Sequence, residues 1–241
     1  MRQLLNHTAG FAHDPAGAKT KPDGTYDLAA LVHAAMDDKP LSARNGVPLL
    51  QYRLPRPRPA DRETHGPVRR RRDHRADRQT ARAHRNLVPA PGKRTLTNPY
   101  LPGYVGFRVG DGFFWWEATT SKELSFWSSS AAMESTLADL AKFNRALVAG
   151  EVVSPKALAE MRTVVPWTPG SPTGYGLGQF NLQLSCGGMA WGHDGLLPTG
   201  HTSLTMATDD GRFASVVTNT NILPTEPGIL DVANAALCEG K

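Results

Sequence analysis

The residues best placed for chemistry are His193, Asp194 and Gly195, consecutive in the stretch GGMAWGHDGLLPTGHTSLTMATDDGRFASVVTN. A histidine followed by a small, tight turn at a strand edge can present an imidazole and backbone N–H groups to a ligand. A histidine beside a glycine is also a common structural arrangement, so the tripeptide needs its context. The serines Ser129, Ser130 and Ser135 are poor nucleophiles, because no lysine follows any of them by three residues. They read as turn residues at a helix entry. Cys186 and Cys238 lie far apart without metal-ligand spacing. Two readings stay open for them, buried thiols or a single disulfide, and the disulfide would imply an oxidising compartment.

The elements around these residues follow from periodicity and turn chemistry. Residues 187–193 approach a turn, 194–200 are rich in Gly and Pro, and Thr202–Thr208 alternates as a strand. Asp209-Asp210-Gly211 then turns the chain into a further strand, Arg212–Asn219, since Gly tolerates positive φ. Upstream, GYGLGQF opens a strand expected to run from Gly174 to about Leu184. Thr136 caps a helix over Leu137–Ala149, with Gly150 past its end. Ser154-Pro155 starts another over 155–163. Asp27 caps a helix over Leu28–Asp38, and a short helix over Arg2–Asn6 stops by Gly10. The C-terminus, Pro227–Cys238, is helical by its apolar spacing. The aromatic run over 90–128, with Phe113, Phe114, Trp115 and Trp116, is either core or a pocket wall.

Composition bounds the rest. With 241 residues and 40% apolar, one domain with a core is expected. No run approaches the ~20 apolar residues of a membrane span. The start, MRQLLNHTAG, lacks the apolar region of a signal peptide. Charge is uneven: the net is +5, but 47–89 holds twelve Arg against four acids, a local +8 that leaves −3 elsewhere. That segment has no Phe, Trp, Ile or Met and cannot bury a face, so it is expected to be irregular or disordered. Its Arg clusters over 53–85 could bind nucleic acid or other polyanions non-specifically. Tyr52 is its single aromatic, which argues against a base-stacking platform.

Taken together, four stretches resemble the serine β-lactamase-like family of class C β-lactamases, D-alanyl-D-alanine carboxypeptidases and related esterases. RQLLNHTAG, SSSAAMESTLADLAKFNRALVAG, GYGLGQF and WGHDGLLPTGHTS match its motifs in order. The resemblance implies an α+β fold, an antiparallel sheet flanked by helices of the β-lactamase/transpeptidase type. It implies a serine hydrolase working through an acyl-enzyme, with a small-molecule or peptide substrate, no cofactor and no metal. It carries His193, Asp194 and Gly195 onto the H-x-G strand that helps hold the substrate carboxylate, and Leu196 onto the backbone N–H of the oxyanion hole. Family members usually act outside the cytoplasm, where Cys186 and Cys238 could bridge.

Two parts of the family pattern are missing. The nucleophile and lysine of S-x-x-K lie upstream of the RQLLNHTSG stretch, and here Met1 already falls inside it. No Y-x-N follows Gly46. A chain truncated at its N-terminus is therefore expected: 1–46 a remnant of the helical region, 47–89 an inserted text, 90–241 the C-terminal part of the domain, incomplete and with no catalytic nucleophile. Shifting the reading frame of Val47–Arg53 by one base permits a Tyr-Ser-Asn motif, and the same frame through Pro67 permits an apolar helix. Arg82–Pro89 in that frame permits GLTGTSFP, again family-like. The Arg-rich text thus reads as an out-of-frame segment.

Overall fold

The computed structural model describes residues 1–10, 17–37, 85–221 and 228–240. Most of the Arg-rich text, and with it the polyanion reading, falls outside these residues. Its last five, 85–89, are described: Leu87 bridges Glu134, and Arg85 N–H donates to Asp139 at 2.6 Å.

Six antiparallel strands form the main sheet in strict chain order: β3 (Val165–Pro166), β4 (Gly174–Tyr175), β5 (Phe180–Gln183), β6 (Met189–Leu196), β7 (Thr202–Thr208) and β8 (Phe213–Thr218). Before them come α1 (Arg2–Leu5), α2 (Leu28–Asp37), the hairpin β1 (Tyr104–Val109) and β2 (Gly112–Glu117), α3 (Ser128–Ala131), α4 (Leu137–Val148) and α5 (Pro155–Met161); α6 (Ile229–Cys238) closes the chain. The fold is α+β, helices against an antiparallel sheet, as the resemblance implies.

The helices begin where side-chain oxygens satisfy their first amides. Thr136 accepts from Asp139 N at 3.1 Å, Ser154 from Ala157 N at 3.2 Å, and Asp27 from Ala29 N at 2.8 Å. Such caps contribute about 1 kcal/mol each. At the end of α6, the C-terminal half of the helix is tied to the turn before β6 by a Cys186–Cys238 disulfide. Of the two sequence readings for these cysteines, the bridge is the one the structure holds.

Strand alternation sends neighbours to opposite faces. Leu204 and Met206 of β7 meet Phe180, Tyr175, Ala190 and Leu237 under α6, while Ala207 joins Trp191 and Val148 of α4 on the other face. Phe180, Leu204, Met206 and Leu237 are at most 2% exposed. Burying side chains of this size contributes roughly 1.5–3 kcal/mol each. Two polar contacts fix α4 and α5 to the sheet. Asn144 Nδ2 donates to Trp191 O at 2.9 Å, and Arg162 donates to Val148 O at 3.1 Å with its guanidinium 5.0 Å from the centre of the Trp191 ring.

Two sequence expectations need correction, and one left open is decided. GYGLGQF is not one strand: Gly176 N–H donates to Gln179 O at 2.8 Å, and Gly178 takes φ 79°, so the glycines turn the chain between β4 and β5. The strand at His193 does not stop there. It runs through Leu196 and pairs with β7 along its whole length, and the turn falls at 197–201, where Leu197 N–H donates to His201 O at 2.9 Å. The aromatic run divides between its two readings: Trp127 is core, at 6% exposed, but β1 and β2 form a two-stranded hairpin, joined to the end of β8 through Tyr104 and Thr220, whose Phe113, Phe114, Trp115 and Trp116 are each about half exposed.

The disulfide closes a 52-residue span, which by loop-closure entropy stabilises the fold by about 4 kcal/mol. Urea unfolding of Cys186→Ser/Cys238→Ser beside the oxidised chain should show a loss of that order. Equal midpoints would show that the bridge does not constrain the unfolded state.

Candidate substrate-holding site

The buried side chain of Asn181 fixes the start of the site. Its Oδ1 accepts from Gly174 N–H at 2.7 Å and its Nδ2 donates to Pro172 O at 3.0 Å, which locks β4 beside β5. Tyr175 then lies opposite Phe180, and Phe180 opposite Gly192. At Gly192 the strands approach closely: a Cβ there would meet the Thr205 carbonyl at 1.9 Å, so only glycine fits. β5 ends at this point. Residues 193–196 pair with β7, and no described strand pairs with the other edge of His193–Gly195.

His193 stands where that one-sided stretch begins. Its Nε2 lies 2.7 Å from the Tyr175 hydroxyl, and its Nδ1 contacts the carbonyl of Asp194. A carbonyl can only accept, so Nδ1 carries the proton. In the neutral ring Nε2 is then the acceptor, and Tyr175 donates. Tyr175 is 5% exposed, and His193 is the hydroxyl's one hydrogen-bond partner among the described residues. Burial, and then the negative charge of Asp194, push the Tyr175 pKa well above its usual value, so the hydroxyl stays a donor. Phe180 packs edge-on to His193, with ring centres 6.2 Å apart.

The N-terminal stretch reaches the same place. The His7 ring lies 4.8 Å from the Tyr175 ring, with His7 in the left-handed region at φ 59°. His7 lies more than 160 residues before Tyr175 and His193 in sequence, and the three rings form one continuous contact. The four positions expected from the sequence, His193, Asp194, Gly195 and Leu196, sit consecutively on β6, facing Thr202 to Thr205 of β7 on their paired side. Sequence reasoning passed over Tyr175 and His7, although both lie in stretches that carried the resemblance. The signal that could have found Tyr175 is the G-x-G turn directly after it, which breaks the strand and brings the ring inward.

Among the described residues no three His, Cys, Asp or Glu side chains gather as a metal site, and no helix is long and apolar enough to cross a membrane.

The antiparallel sheet with helices on both faces has the architecture of the β-lactamase and transpeptidase class of fold. A family model for beta-lactamase matches residues 52–237. The chain belongs to the beta-lactamase family. Among solved structures it is similar to a D-stereospecific amidohydrolase from a Streptomyces species, at 26% identity and TM-score 0.71 over 91% of this chain and 67% of that one. It is also similar to the D-amino acid amidase of Ochrobactrum anthropi SV3 in complex with L-phenylalanine amide, at 23% identity and TM-score 0.64 over 90% of this chain and 63% of that one. A penicillin-binding protein from Bacillus halodurans shares the fold at 17% identity and TM-score 0.59, over 98% and 70% of the two chains. The chain thus spans about two thirds of the length of these proteins.

Replacing Tyr175 by Phe removes the donor to His193 Nε2. The Asp194 carbonyl still holds the Nδ1 proton, so the ¹⁵N spectrum of His193 should keep a protonated Nδ1 while the Nε2 resonance moves as it loses its donor; an unmoved Nε2 resonance would show that Tyr175 does not donate there. The raised Tyr175 pKa also carries a sign. Folding is favoured while the phenol is protonated in both states, and that contribution fades as pH rises past the unfolded value of about 10. Stability should therefore fall above about pH 10, less steeply in Tyr175→Phe, as followed by urea midpoints across that range.

Proposed function

We propose that this chain is the substrate-holding part of a serine hydrolase of the β-lactamase and D-alanyl-D-alanine carboxypeptidase type, whose reaction passes through an acyl-enzyme. The observation that carries the reading is the side of β6 at His193–Gly195 along which no described strand pairs, held in place by Tyr175. An extended substrate laid against that strand can exchange backbone hydrogen bonds with it, as an added strand would. Gly195 keeps side-chain bulk away from the acyl group, and the Leu196 N–H is the donor the family pattern gives to the developing oxyanion. Tyr175 and Phe180 hold the imidazole still, so that the strand presents one fixed hydrogen-bonding pattern.

The reading does not include an attacking group. The 241 residues contain neither S-x-x-K nor Y-x-N. The base that the family pattern gives the serine, the lysine of S-x-x-K or the tyrosine of Y-x-N, is thus missing from these residues. The substrate is then held and not cleaved. The likeness to a structure that contains L-phenylalanine amide supports small acyl compounds as the substrate range.

Incubation with a fluorescent penicillin, a chromogenic β-lactam and a p-nitrophenyl ester tests this. The purified chain should gain no covalent label and turn over none of them above the rate in buffer. A stable adduct on any side chain, located by peptide mass, would contradict the proposal.

A further inference from the structure

We propose that β2 is a dimerisation strand. Two copies of the chain pair β2 with β2, antiparallel about a two-fold axis at Trp115, and join their hairpins into one four-stranded sheet. The proposal is independent of the acyl-transfer reading and starts from the backbone. In an antiparallel ladder, successive residues turn their N–H and C=O alternately towards the partner strand and away from it. Ala118 N–H donates to Gly103 O at 2.8 Å. In that register Gly112, Phe114 and Trp116 face β1, and Phe113, Trp115 and Glu117 face outward.

The two edges of the hairpin differ. On β1, Tyr104 N–H donates to Asn219 O at 2.7 Å, and Tyr104 O accepts from Asn221 N–H at 3.2 Å. The Asn221 side chain then stands in for a strand: its Oδ1 accepts from Gly106 N–H at 2.7 Å, and its Nδ2 donates to Gly106 O at 3.3 Å. On β2 no described group bonds the outward N–H and C=O of Phe113, Trp115 and Glu117. Natural edge strands are usually blunted by charge, proline or a bulge. From Gly112 to Trp116 β2 has none of these. Its four consecutive aromatics, each about half exposed, pack best with a strand on either side.

A second copy answers both needs. A lipid surface would cover the rings but leave the outward N–H and C=O in a medium that offers them no partners. An identical strand supplies those partners, because an antiparallel strand is complementary to itself about a two-fold axis. Charge chooses the register. The two registers that overlap β2 most fully have their axis at Phe114 or at Trp115. An axis at Phe114 brings Glu117 opposite Asp111 of the second copy, two like charges. An axis at Trp115 sets Glu117 opposite Phe113 of the second copy, whose β1 partner is Arg108. Opposite charges then share one row of one face, two strands apart at about 10 Å between backbones. An arginine side chain can lean across that distance over the Phe113 ring. The same register pairs Trp115 with Trp115 and Phe114 with Trp116, both aromatic cross-strand contacts.

Sedimentation velocity of the full chain over a wide range of concentration tests this, with amide hydrogen exchange beside it. The chain should form a dimer in which the amides of Phe113, Trp115 and Glu117 are protected, and these should exchange freely on dilution to monomer. Trp115→Lys sets like charges on the axis at an exposed position, and should weaken the dimer roughly tenfold or more with the urea midpoint of the monomer unchanged. In the oxidised chain the native cysteines are already bridged. Trp115→Cys should then form a disulfide between copies, since facing residues bring their backbones to about 5.5 Å. Phe114→Cys should not, because its counterpart lies diagonally at about 7–8 Å. A monomer at every concentration, a dimer untouched by Trp115→Lys, or cross-linking by Phe114→Cys in place of Trp115→Cys overturns the proposal. Protection of those amides only on phosphatidylcholine vesicles also overturns it and gives the hairpin to a lipid surface.

Discussion

One hydrogen bond organises the site. The Tyr175 hydroxyl is buried, and the atom that accepts its proton is His193 Nε2. A buried hydroxyl left without an acceptor costs about 1–3 kcal/mol. That penalty, rather than the net strength of the bond, holds the imidazole in one orientation, while the Asp194 carbonyl sets its tautomer. The rest of the structure brings the two residues to 2.7 Å. Asn181 locks β4 to β5, the Gly176–Gln179 turn places Tyr175 next to Phe180, and the close approach at Gly192 sets β6 against β7 so that His193 emerges where β5 ends.

The core supports this arrangement from both faces. Beneath the sheet, Phe180, Leu204 and Met206 pack against Leu237 of α6, and the disulfide fastens that helix to the turn leading into β6. Above it, Asn144 and Arg162 tie α4 and α5 to Trp191, two residues before His193. The strand is thus fixed along its first half and left one-sided over its second. A surface of this kind recognises a ligand without rearranging, because its backbone groups are already set.

Much of the fold was legible in the sequence. Caps at Asp27, Thr136 and Ser154, the Asp-Asp-Gly turn before β8 and the alternation of Thr202–Thr208 each carry a local physical signal, and each element forms where that signal points. The failures share a cause. Glycines were read as breaks at 194–200, but Gly195 sits inside a strand; they were read as strand in GYGLG, where Gly176 and Gly178 make a turn. Glycine permits both, and only tertiary pairing decides. The aromatic run stayed open between core and pocket wall because hydrophobic side chains are buried only where another layer covers them, as at Trp127 and not at Phe113–Trp116. The position of His193 was visible from its motif. Its partner Tyr175 was not, because a hydrogen bond between strands 18 residues apart leaves no periodic trace.

The central claim is that three distant stretches meet at one tyrosine. Proton–proton Overhauser contacts test it most directly. The Tyr175 ring protons should show cross-peaks to the rings of both His193 and His7, whose centres lie 5.6 and 4.8 Å away. A Tyr175 ring that contacts only aliphatic core protons, with neither histidine within reach, would contradict the account.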